Sequence, residues 1–103
     1  MRVLAVCGSL RPSSSTRDAL SLALAAAERG GAEVGYVDIS ALPWCDGRAV
    51  DAYGPGVDAF RQQLAGADAL LLGSPEYHGS FTGVLKNALD LCGPDDLKGK
   101  LIG

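Results

Sequence analysis

The sequence predicts an α/β domain: a parallel sheet with helices on both faces. Three observations carry this. Short oily runs alternate with helical stripes in the order β-α-β-α-β-α, followed by an apolar "GKLIG" at residues 99–103. The oily runs are apolar at nearly every position, as strands buried on both faces require. The 103 residues, 48% of them apolar, suit one domain over 1–103 with a single core, near the lower end of size for a doubly covered sheet.

The first run, "RVLAVC" (2–7), is short and β-prone, and "GSLRPSSST" then breaks the pattern with Gly, Pro and hydroxyls. Leu20, Ala23, Leu24 and Ala27 repeat at i, i+3, i+4, i+7, which predicts a helix from about Ser15 to Arg29 with one buried face. Ser15 followed by Asp18 resembles a capping box, and Gly30-Gly31 ends the helix. "AEVGYVDI" (32–39) is the second strand, and 41–56 is a long irregular loop. Val57, Phe60 and Leu64 mark a second helix, and "ADALLLGS" (67–74) is the third strand. Phe81, Leu85, Ala88 and Cys92 form a third stripe, with Ser80 as its N-cap. The final "GKLIG" starts a fourth strand. Three strands alone would leave an edge and part of an apolar face open, so the chain is expected to be truncated relative to a complete domain.

Composition narrows the function. The net charge is −3 and no Lys/Arg cluster could neutralise a row of phosphates, which argues against nucleic acid. No apolar run approaches the ~20 residues that span a bilayer, so no membrane role is expected. "MRVLAVCGSL" is too short in its apolar part for a signal peptide and reads as a strand. Cys7, Cys45 and Cys92 are odd in number and lack metal-ligand spacing, which speaks against a disulfide framework or a zinc site. A reducing cytoplasm is the expected setting.

Chemistry concentrates in two loops. "GSLRPSSSTR" joins a buried strand to a helix start, where free N–H groups and the positive dipole end attract anions. Ser9, Ser13, Ser14, Ser15 and Thr16 add hydroxyl donors, Arg11 adds a planar cation, and Gly8 permits a tight turn. The plainer reading is a turn with a hydroxyl N-cap, but five hydroxyls exceed what capping requires. Other phosphate motifs do not fit the spacing. Leu10 and Ser13 stand where G-x-G-x-x-G needs glycines, and Ser13-Ser14 replace the Gly-Lys of a Walker loop. Cys7 lacks the Arg six residues later that a cysteine phosphatase needs, and Val6-Cys7-Gly8 offers no phosphoacceptor acid. Cys7 then reads as a small buried apolar residue.

The second loop, "SPEYHGSFTGVLKN" (74–87), follows the third strand. Ligands of doubly wound sheets lie over strand carboxyl ends where the strand order reverses, so this loop is the natural partner of the first. Pro75 stiffens it, Gly79 allows close backbone approach, and Glu76, Tyr77 and His78 set polar and aromatic groups beside a ligand. A flat conjugated ring with polar edges suits such a surface. Taken singly, each residue has a plainer role: a surface histidine, a packed tyrosine, a glutamate serving the helix start. Together with the hydroxyl loop they favour a phosphorylated flat cofactor.

"GSLRPSSSTR" together with "SPEYHGSFTGVLKNALD" resembles the NADPH-dependent FMN reductase family, the flavodoxin-like group that includes azo, quinone and chromate reductases. The resemblance implies a three-layer flavodoxin-like fold with strand order 2-1-3-4-5, of which three strands and the start of a fourth are present. It implies that Ser9, Arg11, Ser14, Ser15 and Thr16 hold the FMN phosphate, and that Pro75, Glu76, Tyr77, His78 and Gly79 run along the isoalloxazine ring. His78 stands where many relatives have Asn. Lys86, Asn87 and Asp90 lie on a helix resembling the family's subunit-contact helix, or else on a solvated face. The implied activity is NAD(P)H-dependent reduction of FMN, or of small acceptors such as quinones and azo compounds through bound FMN, in a homodimer or homotetramer. The flavin carries the chemistry, so no catalytic acid or base is named. The alternatives are a flavodoxin-like electron carrier, against which the lack of an acidic cluster speaks, and a non-enzymatic truncated fragment.

Overall fold

The computed structural model describes residues 1–103. Its elements are β1 (Arg2–Cys7), α1 (Ser15–Arg29), β2 (Glu33–Val37), α2 (Pro55–Ala65), β3 (Ala69–Gly73), α3 (Gly83–Asp90) and β4 (Leu101–Ile102). A short 3-10 turn, Val50–Ala52, interrupts the long loop before α2. The four strands form one sheet in the order β2-β1-β3-β4, with every pairing parallel. β1 is central, and the chain reverses direction across the sheet between β1 and β3.

Alternation along β1 builds both faces of the core. Val3, Ala5 and Cys7 pack against Leu20 and Leu24 of α1. Leu4 and Val6 face the other way, toward Val57, Phe60 and Leu64 of α2 and Leu85 and Ala88 of α3. This is why the strand reads as continuously apolar. Burying a side chain such as Phe60, only 4% exposed, contributes roughly 2–3 kcal/mol.

Four local expectations shift. Ala23 is exposed, so the buried stripe of α1 is narrower than its periodicity suggested. Alanine is a good helix former on either face, so its position marks the helix without marking its core side. The cap of α1 is Ser14, whose Oγ accepts the Arg17 N–H at 3.1 Å, and not Ser15. Strands β2 and β3 are shorter than 32–39 and 67–74, since Asp38 and Ser74 already turn away into loops. The third helix begins at Gly83 behind a Thr82 cap, not behind Ser80, and Phe81 lies outside it, half exposed.

Candidate functional site at the sheet switch point

Gly8 follows β1 and Gly73 ends β3, and the Gly8 N–H donates to the Gly73 carbonyl at 2.7 Å. The two loops therefore leave the sheet side by side. Thr82, only 2% exposed, locks them together: its hydroxyl donates to the Gly8 carbonyl at 2.7 Å and accepts the Leu85 N–H at 3.3 Å. Its own N–H donates to Ser74 Oγ at 2.9 Å, and that hydroxyl donates to the Pro75 carbonyl at 2.8 Å. A Cβ on Gly8 would stand 2.9 Å from Thr82 Oγ1 and 3.0 Å from the Gly73 carbonyl oxygen, so no side chain fits there. The sequence reading passed over Thr82. Its signal was its place immediately before Gly83 and the apolar pair Val84-Leu85, where a cap belongs.

Above this latch lies a niche of about 60 Å³. Ser9, Arg11, Ser14, Ser15 and Thr16 line one side, and Pro75 and Tyr77 the other. Ser14 is buried as the helix cap, and Ser9 is buried with its Oγ accepting the Arg11 N–H at 3.4 Å. Both hydroxyls act as acceptors inside the chain and keep their protons to donate. The backbone N–H groups of Ser9, Leu10, Ser13, Ser14, Ser15 and Thr16 find no partner within the chain. The three ion pairs of the molecule use Arg48, Arg61 and Lys86, and the Arg11 guanidinium has no carboxylate partner. The niche is therefore a cluster of donors and one cation without a matching acceptor, of a size for a small oxyanion. That donor set fits a phosphate monoester.

The second loop divides in two. Pro75 and Tyr77 reach the niche, whereas Glu76, His78 and Gly79 line none of the cavities and are exposed. Tyr77 and Ser80 exchange backbone hydrogen bonds of 2.9 and 3.2 Å, closing a two-residue hairpin. His78 and Gly79 are its central residues, with φ of 52° and 79°. Positive φ at both positions is the demand of a type I′ turn, which Asn-Gly meets best and which histidine tolerates better than most residues. A Cβ on Gly79 would meet no atom of the chain within 4 Å, so within the chain it is the left-handed turn that calls for glycine here.

Beside the niche, a cleft of about 450 Å³ runs between Leu10 and Pro12 of the first loop and Tyr77 and Val84 of the second. It gives an apolar, aromatic-edged surface next to the oxyanion niche. Cys7, 4% exposed, donates its thiol to the Ser9 carbonyl at 3.6 Å, which suits a core residue rather than a nucleophile. Burial, helped by Asp96, pushes the Cys92 thiol up to about 11, which disfavours the reactive thiolate. Asn87 is committed inside the chain. Its amide donates to the Pro43 carbonyl at 2.9 Å and accepts the Cys45 N–H at 2.8 Å, pinning the long loop to α3. Lys86 and Asp90 form an i, i+4 ion pair on the exposed face of the same helix.

An open parallel sheet with a donor-lined niche and an apolar cleft at its switch point is the architecture of a doubly wound α/β domain, whose ligands lie at that point. Comparison with known proteins narrows the class. The profile of the NADPH-dependent FMN reductase family matches residues 1–103, and the chain belongs to that family. It is 44% identical over 94 residues to an NAD(P)H:quinone oxidoreductase of Solanum tuberosum, covering 87% of this chain and 48% of the relative. It is 42% identical over 92 residues to an NAD(P)H-dependent FMN reductase of Pseudomonas aeruginosa, covering 87% and 49%. The chain thus spans about half the length of the curated relatives it matches. Among solved structures, the flavoenzyme NAD(P)H:(acceptor) oxidoreductase FerB of Paracoccus denitrificans superposes with a TM-score of 0.84 at 28% identity, over 98% of this chain and 57% of that one. The apo form of an NADH:FMN oxidoreductase follows at 0.79 and 27%, over 98% and 55%. The flavodoxin-like fold expected from the sequence is the fold observed, and no helix is long and apolar enough to cross a membrane.

Proposed function

We propose that the chain forms the FMN-binding part of an NAD(P)H-dependent reductase whose acceptors are FMN itself or small molecules such as quinones and azo compounds. The observation that carries this reading is the oxyanion niche held at the β1–β3 switch point by the Thr82 latch. In this reading Ser9, Arg11, Ser14, Ser15 and Thr16 bind the FMN phosphate. Pro75, Glu76 and Tyr77 run beside the isoalloxazine ring, and the His78-Gly79 turn holds that strip in shape. Bound FMN would supply hydride acceptance and delivery of one or two electrons. The chain's own residues bind and orient it: hydroxyls and N–H groups fix the phosphate, and the rigid second loop sets the ring's plane. No side chain here is assigned a proton-transfer role.

A cytoplasmic setting belongs to the same reading, supported by three free thiols. So does a homodimer or homotetramer, with the exposed Lys86–Asp90 face of α3 as a contact available to a second subunit. The electron-carrier alternative keeps the flavin but needs a protein acceptor. NADPH oxidation in the presence of FMN and a small quinone, with no other protein, tests the choice. Turnover dependent on FMN is the expected result. Flavin binding without turnover would favour the carrier.

A further inference from the structure

A second cavity of about 450 Å³ opens between the first loop and the loop after β2. Its inner wall is apolar, made of Cys7, Val37 and Ile39. Leu10 and Pro12 flank it, and the charged groups at its rim are Arg11, Arg17 and Asp38. Nothing in the flavin reading uses Arg17, Asp38 or this volume.

The rim is fixed in place. The Arg17 guanidinium lies over the Tyr36 ring, 4.4 Å from its centroid, and the Tyr36 hydroxyl donates to the Arg17 carbonyl at 3.1 Å. Asp38 accepts the Ser40 N–H at 2.9 Å. Ser40, through its hydroxyl and its N–H, holds the Asp38 carboxyl below the usual carboxylate range, with Arg17 adding to the effect. Neither Arg11 nor Arg17 is in an ion pair. The mouth therefore combines two guanidiniums outside any ion pair, Arg11 shared with the oxyanion niche and Arg17 held over Tyr36, with one acceptor-only carboxylate.

That combination is selective. A bare oxyanion gains nothing from Asp38, which repels it. A quinone or other neutral ring has no use for a stacked guanidinium. A nucleoside phosphate meets every group: its phosphate pairs with a guanidinium, its ribose hydroxyls donate to a carboxylate after the second strand, and its flat base lies on apolar wall. We propose that this cavity seats the adenylate half of the pyridine dinucleotide, with Arg17 on a phosphate and Asp38 on the ribose. The proposal rests on the reading that the chain serves NAD(P)H-dependent reduction. Arg11 also lines the oxyanion niche and the apolar cleft, so it stands between the two ligands. A dinucleotide anchored here has its reactive half free to reach toward the cleft.

The test is titration of the 15N-labelled chain with ADP and with 2′,5′-ADP, each in the absence and presence of saturating FMN. Saturable shifts at Leu10 and at 36–40 that persist with FMN bound are expected. Arg17→Met should weaken this binding about tenfold or more, the loss of one charge-assisted contact, while leaving FMN affinity unchanged. Asp38→Asn should weaken it further than it weakens inorganic phosphate. Methionine keeps an apolar stem over Tyr36, and the Arg17 N–H that caps α1 is untouched. Shifts confined to Ser14–Thr16 and abolished by FMN would overturn the proposal, since the adenylate would then only borrow the oxyanion niche. Binding of FMN with no response to either adenylate would overturn it and leave the flavin reading standing. Adenylate binding here by a chain that ignores FMN would support this cavity and overturn the flavin reading.

Discussion

The two loops at the switch point differ in how composition becomes geometry. In the first, Ser9 and Ser14 are buried, two hydroxyls already bond to the backbone, and a run of N–H groups is left over. Residue types there translate directly into geometry, because hydroxyls, a cation and a helix start are themselves the groups that the niche presents. In the second loop, half of the notable residues serve shape. His78 and Gly79 close a hairpin with positive φ, and the group that joins this loop to the first is a threonine eight residues after Ser74. A loop rich in unusual residues can be unusual for conformational reasons.

The largest effect that probes this difference is expected at the shared hinge. Gly8→Val places a side chain against Thr82 Oγ1 and the Gly73 carbonyl, and should cost about 3 kcal/mol of stability and abolish FMN binding. Thr82→Val is a milder form. It leaves the Gly8 carbonyl buried without its donor and removes the α3 cap, for about 2 kcal/mol, and Thr82→Ser should restore most of it. Urea unfolding reads both. Equal stability of the valine and serine variants would show that the latch does not join the loops.

A smaller effect separates shape from contact in the second loop. Gly79→Ala must hold a φ of 79° with a side chain, at about 1–2 kcal/mol. His78→Asn suits the same turn and should leave stability and FMN affinity unchanged within about twofold, since asparagine is favoured at such positions. Loss of FMN affinity in His78→Asn, by flavin fluorescence, would give the imidazole a direct role and break the contrast between the loops.

The smallest effect comes from a region remote from both. Asp96, 14% exposed, accepts the Arg61 guanidinium at 2.7 Å. Burial pushes its carboxyl up, but Arg61 and the Gly93 N–H outweigh this and hold it below the usual range. A depressed carboxyl contributes stability that is present above the unfolded-state value near 4 and is lost as the pH falls through the folded-state value. Asp96→Asn should therefore destabilise at pH 7 by about 1 kcal/mol and flatten the acid limb of the stability profile below pH 4. FMN affinity should not change. An unchanged acid limb would remove this clasp as a source of stability.

Much of this was legible in the sequence because its physical cause is local. Strands buried on both faces show as unbroken apolar runs, and the alternation of runs and stripes leaves few topologies. The niche residues were legible for the same reason. What escaped was nonlocal or conformational. Thr82 acts on Gly8, 74 residues away, and nothing near it in sequence announces that partner. Phe81 carried the apolar period of α3 by coincidence while lying outside the helix, which displaced the cap by two residues. Asn87 reads as a surface residue of an amphipathic helix, yet it pins a loop more than 40 residues upstream.

The central claim is that the first loop binds a phosphate, and comparing FMN with riboflavin isolates that group. Titrating the chain with each, by quenching of flavin fluorescence, should give FMN an advantage of about 100-fold, the worth of one or two charge-assisted hydrogen bonds. Arg11→Ala should remove at least tenfold of it without lowering affinity for riboflavin. Equal affinity for the two flavins, or an advantage that survives Arg11→Ala together with Ser14→Ala, would contradict the assignment of the niche.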